Sequence, residues 1–316
     1  MKMKFEKTPL LKINYKFEGK EKYFYAKLES HNLTGSIKDK VAYYIINEAY
    51  KNGELKQGQE IVEATSGNTG ISLSALGRYF KNPVHIFMPD WVSVERLNLM
   101  KMYNAKVTLV SKDEGGFKKA IEMAKEYAQN NNAFYANQFE NENNILAHYN
   151  ITGKQILDDL GENIGAFVSG IGTGGTLMGV AKRLKEANEN IEIYALEPDK
   201  MPLLTQNKII SNHKIEGIGD DFIPKLVNKH LIDKVFVIND DDAINMARKL
   251  ALEIGLGVGI SSGANAIAGV LANRENVVTV FPDDNKKYLS TELSKPVDEN
   301  IEFISNKIEL LGYDFV

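Results

Sequence analysis

One lysine and three small-residue loops have the types and spacing that chemistry would need. Thr34-Gly35-Ser36-Ile37-Lys38-Asp39-Lys40 is a turn that opens a helix. Ile37, Val41, Ile45 and Ala49 recur at helical spacing, and Ser36 is the expected N-cap. A cation in the first turn of a helix opposes the macrodipole by roughly 0.3–1 kcal/mol. Lys38 therefore either points into solvent, the common fate of a lysine, or serves as an amine nucleophile, for example by forming an imine with an aldehyde cofactor. Ser169-Gly170-Ile171-Gly172-Thr173-Gly174-Gly175-Thr176 falls between a strand and a helix. Gly170, Gly172 and Gly175 fit G-x-G-x-x-G, and Glu197 ends the next strand, as in a dinucleotide fingerprint. The more general reading is a phosphate held by backbone N–H groups at a helix N-terminus. Thr173 and Thr176 add hydroxyl donors, which suits a terminal phosphate monoester better than a bridging pyrophosphate. A tight glycine turn made only for packing is the plainer alternative.

Thr65-Ser66-Gly67-Asn68-Thr69-Gly70 again ends at a helix start, and its hydroxyls, amide and backbone N–H groups would grip a small carboxylate. In Gly259-Ile260-Ser261-Ser262-Gly263-Ala264 a serine either caps the next helix or reaches a heteroaromatic nitrogen. A dehydrogenase has no evident need for two anion cradles and a helix-opening lysine. An enzyme that binds an amino acid carboxylate beside a phosphorylated aldehyde needs all three.

The elements that position these loops alternate between apolar strands and amphipathic helices. Tyr23–Glu29 feeds the lysine turn, and Ile61–Ala64 leads to a helix near Gly70. Val84–Met88 precedes a helix to Tyr103 that Ser93 can cap. Lys106–Val110, Ala133–Ala136, Ala166–Val168, Ile191–Leu196, Val235–Ile238 and Val277–Phe281 follow as strands, with helices between most of them. This alternation implies a parallel sheet covered on both faces. No repeat or long linker is present, so any domain boundary falls in short crossings around residues 38 and 147.

The 316 residues, 43% hydrophobic and 25% charged, suffice for one large or two modest domains. A formal charge of −4 without basic runs argues against a nucleic-acid partner. There are no cysteines, which removes disulfides, thiolate metal sites and a cysteine nucleophile. Five scattered histidines show no ligand spacing, so no metal is expected. No apolar run approaches the ~20 residues of a membrane span. The charged start, Met1 to Thr8, lacks a signal-peptide core, and the cytoplasm is the expected location.

Together these stretches resemble the fold-type II, pyridoxal-phosphate-dependent β-family, with cysteine synthase and cystathionine β-synthase as the nearest members. The resemblance runs through nearly the whole chain. It implies an α/β, two-domain enzyme, each domain a mostly parallel twisted sheet flanked by helices. Residues 1–38 with 148–316 would form the large, cofactor-anchoring domain, and 39–147 a smaller domain that closes over substrate. It implies that Lys38 carries the cofactor imine and later moves the substrate's α-proton. It implies that Thr65, Ser66, Asn68, Thr69 and Gln138 bind the substrate carboxylate, with Asn68 also reaching the cofactor's phenolic oxygen. Gly172, Thr173, Gly174, Gly175 and Thr176 match the phosphate cup, and Ser261 the serine at the pyridine nitrogen. A neutral serine holds a pyridinium proton less well than an aspartate, so the ring is a weaker electron sink. Expulsion of a β-leaving group to an aminoacrylate is then favoured over racemisation or transamination. Members are usually homodimers, and some bind a serine acetyltransferase tail, for which this sequence gives no sign.

Gly217-Ile218-Gly219-Asp220-Asp221-Phe222 departs from that pattern. Cysteine synthases usually carry small residues at the two aspartates, and cystathionine β-synthases tend to Tyr-Asp. Asp220 is either a solvated loop carboxylate or, facing the cofactor, a general base towards water at the β-carbon, with its pKa raised by an apolar setting. The second reading predicts L-cysteine plus water giving L-serine and hydrogen sulfide. Cysteine synthesis from O-acetylserine and cystathionine formation are the alternatives within the family; serine/threonine dehydration fits less well. A nicotinamide-dependent Rossmann dehydrogenase and a non-catalytic binding protein are the readings from other classes.

Overall fold

The computed structural model describes residues 5–296 and 303–316. The chain opens with a hairpin that the sequence reading caught only in its second half. Strands β1 (Leu10–Phe17) and β2 (Lys20–Leu28) are joined by Glu18 and Gly19, both at positive φ, the geometry of a two-residue turn matched to strand twist. α1 (Lys38–Lys51) then carries the chain to a second sheet built of β3 (Ile61–Ala64), β4 (Val84–Pro89), β5 (Lys106–Val110) and β6 (Phe134–Tyr135). Its order is β5-β4-β3-β6, all parallel. The sequence reading gave β6 four residues, Ala133–Ala136; only Phe134 and Tyr135 are extended. Between these strands run α2 (Asn68–Phe80), α3 (Val94–Met102) and α4 (Gly116–Asn130). Val41, Ile45, Leu73 and Ile86 pack on one face of the sheet, and Val62, Phe87, Ala120 and Ala124 on the other.

The return path is α5 (Asn143–Ala147), a π-helical turn at His148–Gly153, and α6 (Lys154–Leu160). β7 (Ala166–Gly170), α7 (Gly175–Ala187), β8 (Glu192–Pro198), β9 (Lys234–Ile238), α8 (Asp240–Ile254), α9 (Ile260–Leu271), β10 (Val277–Phe281) and β11 (Ile308–Phe315) follow. The first sheet has the order β11-β1-β2-β10-β7-β8-β9. It is parallel from β2 to β9, and β1 runs antiparallel to both its neighbours. α8 and α9 cover one face and α7 the other, and nearly every residue of α9 is buried.

This is the α/β architecture of mostly parallel sheets flanked by helices that the alternation implied. β1 and β11 went unread because, as antiparallel strands on one side of the sheet, they alternate apolar with polar residues, a weaker signal than a continuous apolar run. Two expected caps take other roles. Ile37, not Ser36, stands at the N-cap of α1, although Ser36 Oγ accepts the Lys38 N–H at 3.3 Å. Ser93 Oγ donates to the Lys287 carbonyl at 2.9 Å, so tertiary contact outcompetes capping of α3. Among the described residues no helix is long and apolar enough to cross a membrane.

Candidate active site

Five strand ends converge on one cavity. Loops following β2, β3, β6, β7 and β10 supply most of its wall, as is general for ligand crevices at the carboxyl ends of parallel strands. Lys38, Asp220 and Ser261 line it, as do Thr65, Ser66, Asn68, Thr69 and Gln138, and from the glycine loop Gly172, Thr173 and Thr176. Gly174 and Gly175 stand just behind, at the start of α7.

The lysine turn is fixed before the lysine does anything. Asp39 accepts from both the backbone N–H and the hydroxyl of Thr34, at 2.7 and 2.6 Å. The Ile37 N–H donates to the Pro282 carbonyl at 2.8 Å, pinning the turn to the end of β10. Asp39 also places a carboxylate in the helix's first turn, where it offsets the unfavourable cation beside it. Burial pushes the Lys38 ammonium down to about 8, against the opposing pull of the Asp220 and Asp283 carboxylates. An amine so placed is neutral in a useful fraction near pH 8 and can attack an aldehyde.

The glycine loop is a cradle with no room for side chains. A Cβ on Gly172 would stand 2.3 Å from the Gly217 carbonyl oxygen, and one on Gly175 would stand 2.0 Å from Asn144 Oδ1. Gly174 has φ +87° and offers no side chain to cap α7, leaving the capping place to an anion. Glu197, the acid that completed the dinucleotide fingerprint, is turned away into its own loop. It accepts from the backbone N–H groups of Leu204 and Thr205 at 2.7 and 3.0 Å. A ribose hydroxyl finds no free carboxylate there, which counts against the dehydrogenase reading.

The Thr65 loop is held by a buried polar lattice. Thr69 Oγ1 donates to Gln138 Oε1 at 2.6 Å, and Gln138 Nε2 donates to the Ala64 carbonyl at 2.9 Å. Glu63, fully buried, accepts from the Gln138 N–H at 2.9 Å and from the Ala64 N–H at 2.8 Å. Burial pushes the Glu63 carboxyl up to about 8. Asn68 Nδ2 donates to Asp283 Oδ2 at 2.7 Å, which leaves Asn68 Oδ1 and Asp283 Oδ1 buried without partners.

Asp220 follows Gly217 and Gly219, both in the left-handed region. The Gly219 N–H donates to the Ile171 carbonyl at 2.9 Å, tying this loop to the glycine cradle. Burial, with the neighbouring Asp221 carboxylate, raises the Asp220 carboxyl to about 7, and Lys38 opposes that rise. Asp220, half-buried, lines the cavity that Lys38 lines.

An amine poised near neutrality, an anion cradle at a helix start, a serine hydroxyl and a carboxylate-sized polar loop in one cavity fit pyridoxal phosphate and an amino acid. A family model for the pyridoxal-phosphate-dependent enzymes matches residues 1–283. The chain belongs to that family. Cysteine synthase from Staphylococcus aureus (strain N315) is 40% identical over 292 residues, 90% of this chain and 94% of that protein. A crystal structure of a hydrogen sulfide-producing enzyme from Fusobacterium nucleatum superposes with a TM-score of 0.94 at 47% identity, covering 99% of this chain and 97% of that one. Cysteine synthase from Entamoeba histolytica superposes at 0.86 with 37% identity, covering 95% and 91%. This pyridoxal-phosphate enzyme is thus of fold type II and of the cysteine synthase family, and its chemistry is β-replacement on a small amino acid.

Several residues in or behind the cavity wall were given no role by the sequence reading. Arg96 of α3, 2% exposed, pairs with Glu216 and lies over the Tyr288 ring at 4.7 Å. Phe117, Phe139 and Phe222 form an edge-to-face row beside Asp220. Asp283 accepts from the Tyr288 hydroxyl at 2.7 Å as well as from Asn68. None belongs to a motif with a fixed spacing.

Proposed function

We propose that this enzyme converts L-cysteine and water to L-serine and hydrogen sulfide. The observation that carries the reading is Asp220, a carboxyl at about 7 that shares one cavity with Lys38. Pyridoxal phosphate, when bound, supplies an aldehyde that captures the substrate amine and a ring that withdraws electrons from the α-carbon. Lys38 Nζ, Gly172–Thr176, Ser261 and Asn68 would hold it. Thr65, Ser66, Asn68, Thr69 and Gln138 bind the substrate carboxylate, which fixes Cα within reach of Lys38. Lys38 Nζ takes the α-proton, the Cβ–S bond breaks, and sulfur leaves as hydrosulfide. Asp220 then takes a proton from water as its oxygen bonds to Cβ, and Lys38 returns the α-proton. Asp220 gives up the proton taken from water as hydrosulfide becomes hydrogen sulfide, so atoms and charge balance and Asp220 is ionised again. A carboxylate at this position is also a poor host for an anionic nucleophile, which turns the site from sulfide towards water. An aspartate-to-asparagine variant of the hydrogen sulfide-producing relative, 46% identical with a TM-score of 0.94, is a complex with an α-aminoacrylate intermediate.

The same reading makes residues 39–147 a smaller unit that closes on substrate over a large domain of 1–38 and 148–316, in a cytoplasmic homodimer. The test is Asp220→Asn, assayed with L-cysteine for serine and sulfide. We expect serine formation to fall by about 10²–10⁴-fold, the usual worth of a general base, with cofactor still bound. Unchanged serine formation removes Asp220 from the mechanism. The competing reading, cysteine synthesis from O-acetylserine and sulfide, draws on the identity to the Staphylococcus aureus enzyme. Faster turnover of O-acetylserine with sulfide than of cysteine with water would favour it.

A further inference from the structure

The two threonines of the cradle are not free rotors. Each is met from behind by a buried side chain on the 144–152 segment, and these two side chains are one helical turn apart. Asn144 Nδ2 lies 2.8 Å from Thr173 Oγ1, and His148 Nε2 lies 3.2 Å from Thr176 Oγ1. Asn144 and His148 are both completely buried. On its other side His148 Nδ1 meets Thr152 Oγ1 at 3.1 Å. We propose that Asn144 and His148 are positioning residues that set the hydroxyl direction of Thr173 and Thr176, so that both present O–H donors to the cofactor phosphate.

Donor and acceptor bookkeeping gives the direction. The Asn144 amide nitrogen also donates to the Gln138 carbonyl at 2.9 Å, and a carbonyl can only accept, so the amide orientation is fixed. Its second N–H donates to Thr173 Oγ1 and leaves that hydroxyl's own proton free. Burial, together with Lys38 and Lys40, holds the His148 imidazolium well below its ordinary range, so the ring is neutral with one donor and one acceptor nitrogen. If Thr176 donated to Nε2 it would offer a phosphate only lone pairs. If Nε2–H donates to Thr176, the hydroxyl proton faces the anion, and Nδ1 needs a donor. Thr152 supplies it. The chain Thr152 O–H to Nδ1, Nε2–H to Thr176 Oγ1, Thr176 O–H to phosphate is unbroken and has a single sense.

The backbone is shaped for this. His148 and Thr152 lie in the π-helical turn, a widening found mostly at functional sites. α7 approaches that turn through Gly175 and Gly179; a Cβ on Gly179 would stand 2.7 Å from His148 Cβ and 2.3 Å from the Ile145 carbonyl oxygen. Neither His148 nor Thr152 lines the cavity, so both act through Thr176.

The test compares pyridoxal phosphate with pyridoxal, which lacks the phosphate, in binding to resolved apoenzyme of wild type, His148→Phe and Thr152→Val. Dissociation constants come from cofactor absorbance and fluorescence, and the bound phosphate is followed by phosphorus NMR. His148→Phe should weaken pyridoxal phosphate binding on the order of tenfold or more, the worth of a hydrogen bond to a charged group, and leave pyridoxal binding within about twofold. Thr152→Val should do the same more weakly, and both should shift the phosphorus resonance. Equal weakening of both ligands would show a merely structural role and overturn the proposal, as would wild-type affinity in both variants. Thr152→Val carries the test if His148→Phe fails to fold. The outcome does not depend on which nucleophile the enzyme uses, so it stands or falls separately from the Asp220 reading.

Discussion

A carboxyl near 7 beside an amine near 8 is a pair of groups pushed towards each other across neutrality, and their environments do the pushing. Asp220 is lifted by burial and by Asp221, and Lys38 is lowered by burial. As a base Asp220 works only when ionised, so serine formation should rise with pH through about 7 and be lost below it. Asp221→Asn removes one of the two causes of the rise, so the acid limb of that pH profile should move to lower pH. A profile that does not move would show that Asp221 is not felt. Glu63 acts at one remove. Its carboxyl holds the Gln138 and Ala64 N–H groups, and Gln138 in turn holds Thr69. Glu63→Gln sets an amide N–H against one of those donors. We expect KM for cysteine to rise by up to about tenfold, one lost hydrogen bond, while pyridoxal phosphate affinity stays as it was. A fall in kcat alone would be the wrong outcome.

At the scale of elements, the loops after β7 and before β9 work as one piece. Gly172 approaches the Gly217 carbonyl so closely that no Cβ fits, and the Gly219 N–H bonds the Ile171 carbonyl. The cradle and the Asp220 loop therefore share their geometry. Gly172→Ala should separate them, at a cost of about 1–3 kcal/mol typical of overpacking. It should lower cofactor affinity and serine formation together, where Asp220→Asn lowers only the second. Thermal melting with cofactor titration checks both.

Across the whole molecule, the 214–225 stretch is met by three ion pairs from the other sheet's side of the cleft. Arg96 pairs with Glu216, Lys118 with Asp221 at 3.0 Å, and Glu140 with Lys225 at 2.7 Å. The last two are exposed and should be worth about 0–1 kcal/mol each, so Lys118→Ala and Lys225→Ala should leave the melting temperature almost unchanged. Arg96 is buried over Tyr288 and against Gly67 of the Thr65 loop. Arg96→Met strands Glu216 and should cost about 3 kcal/mol, with KM for cysteine raised; differential scanning calorimetry and steady-state kinetics read the two effects.

Local chemistry made much of this protein legible in its sequence. Parallel strands announce themselves as apolar β-branched runs, and anion loops as glycine and hydroxyl clusters at helix starts, because both depend on neighbours a few residues away. Lys38, the Thr65 loop and the 172–176 cradle could therefore be named before any fold was known, and the family resemblance singled out Ser261 and Asp220. Tertiary structure alone decided what each group faces. Asp220 could have been solvated; its place in the Lys38 cavity follows from the Gly219–Ile171 bond. Ser93 could have capped α3 but bonds Lys287, and Glu197 completed a motif it does not serve. Glu63, Arg96, Asn144 and His148 carry no local signature, because their partners lie far along the chain. Burial and orientation are set by whichever distant segments pack together, and no short window of sequence contains them.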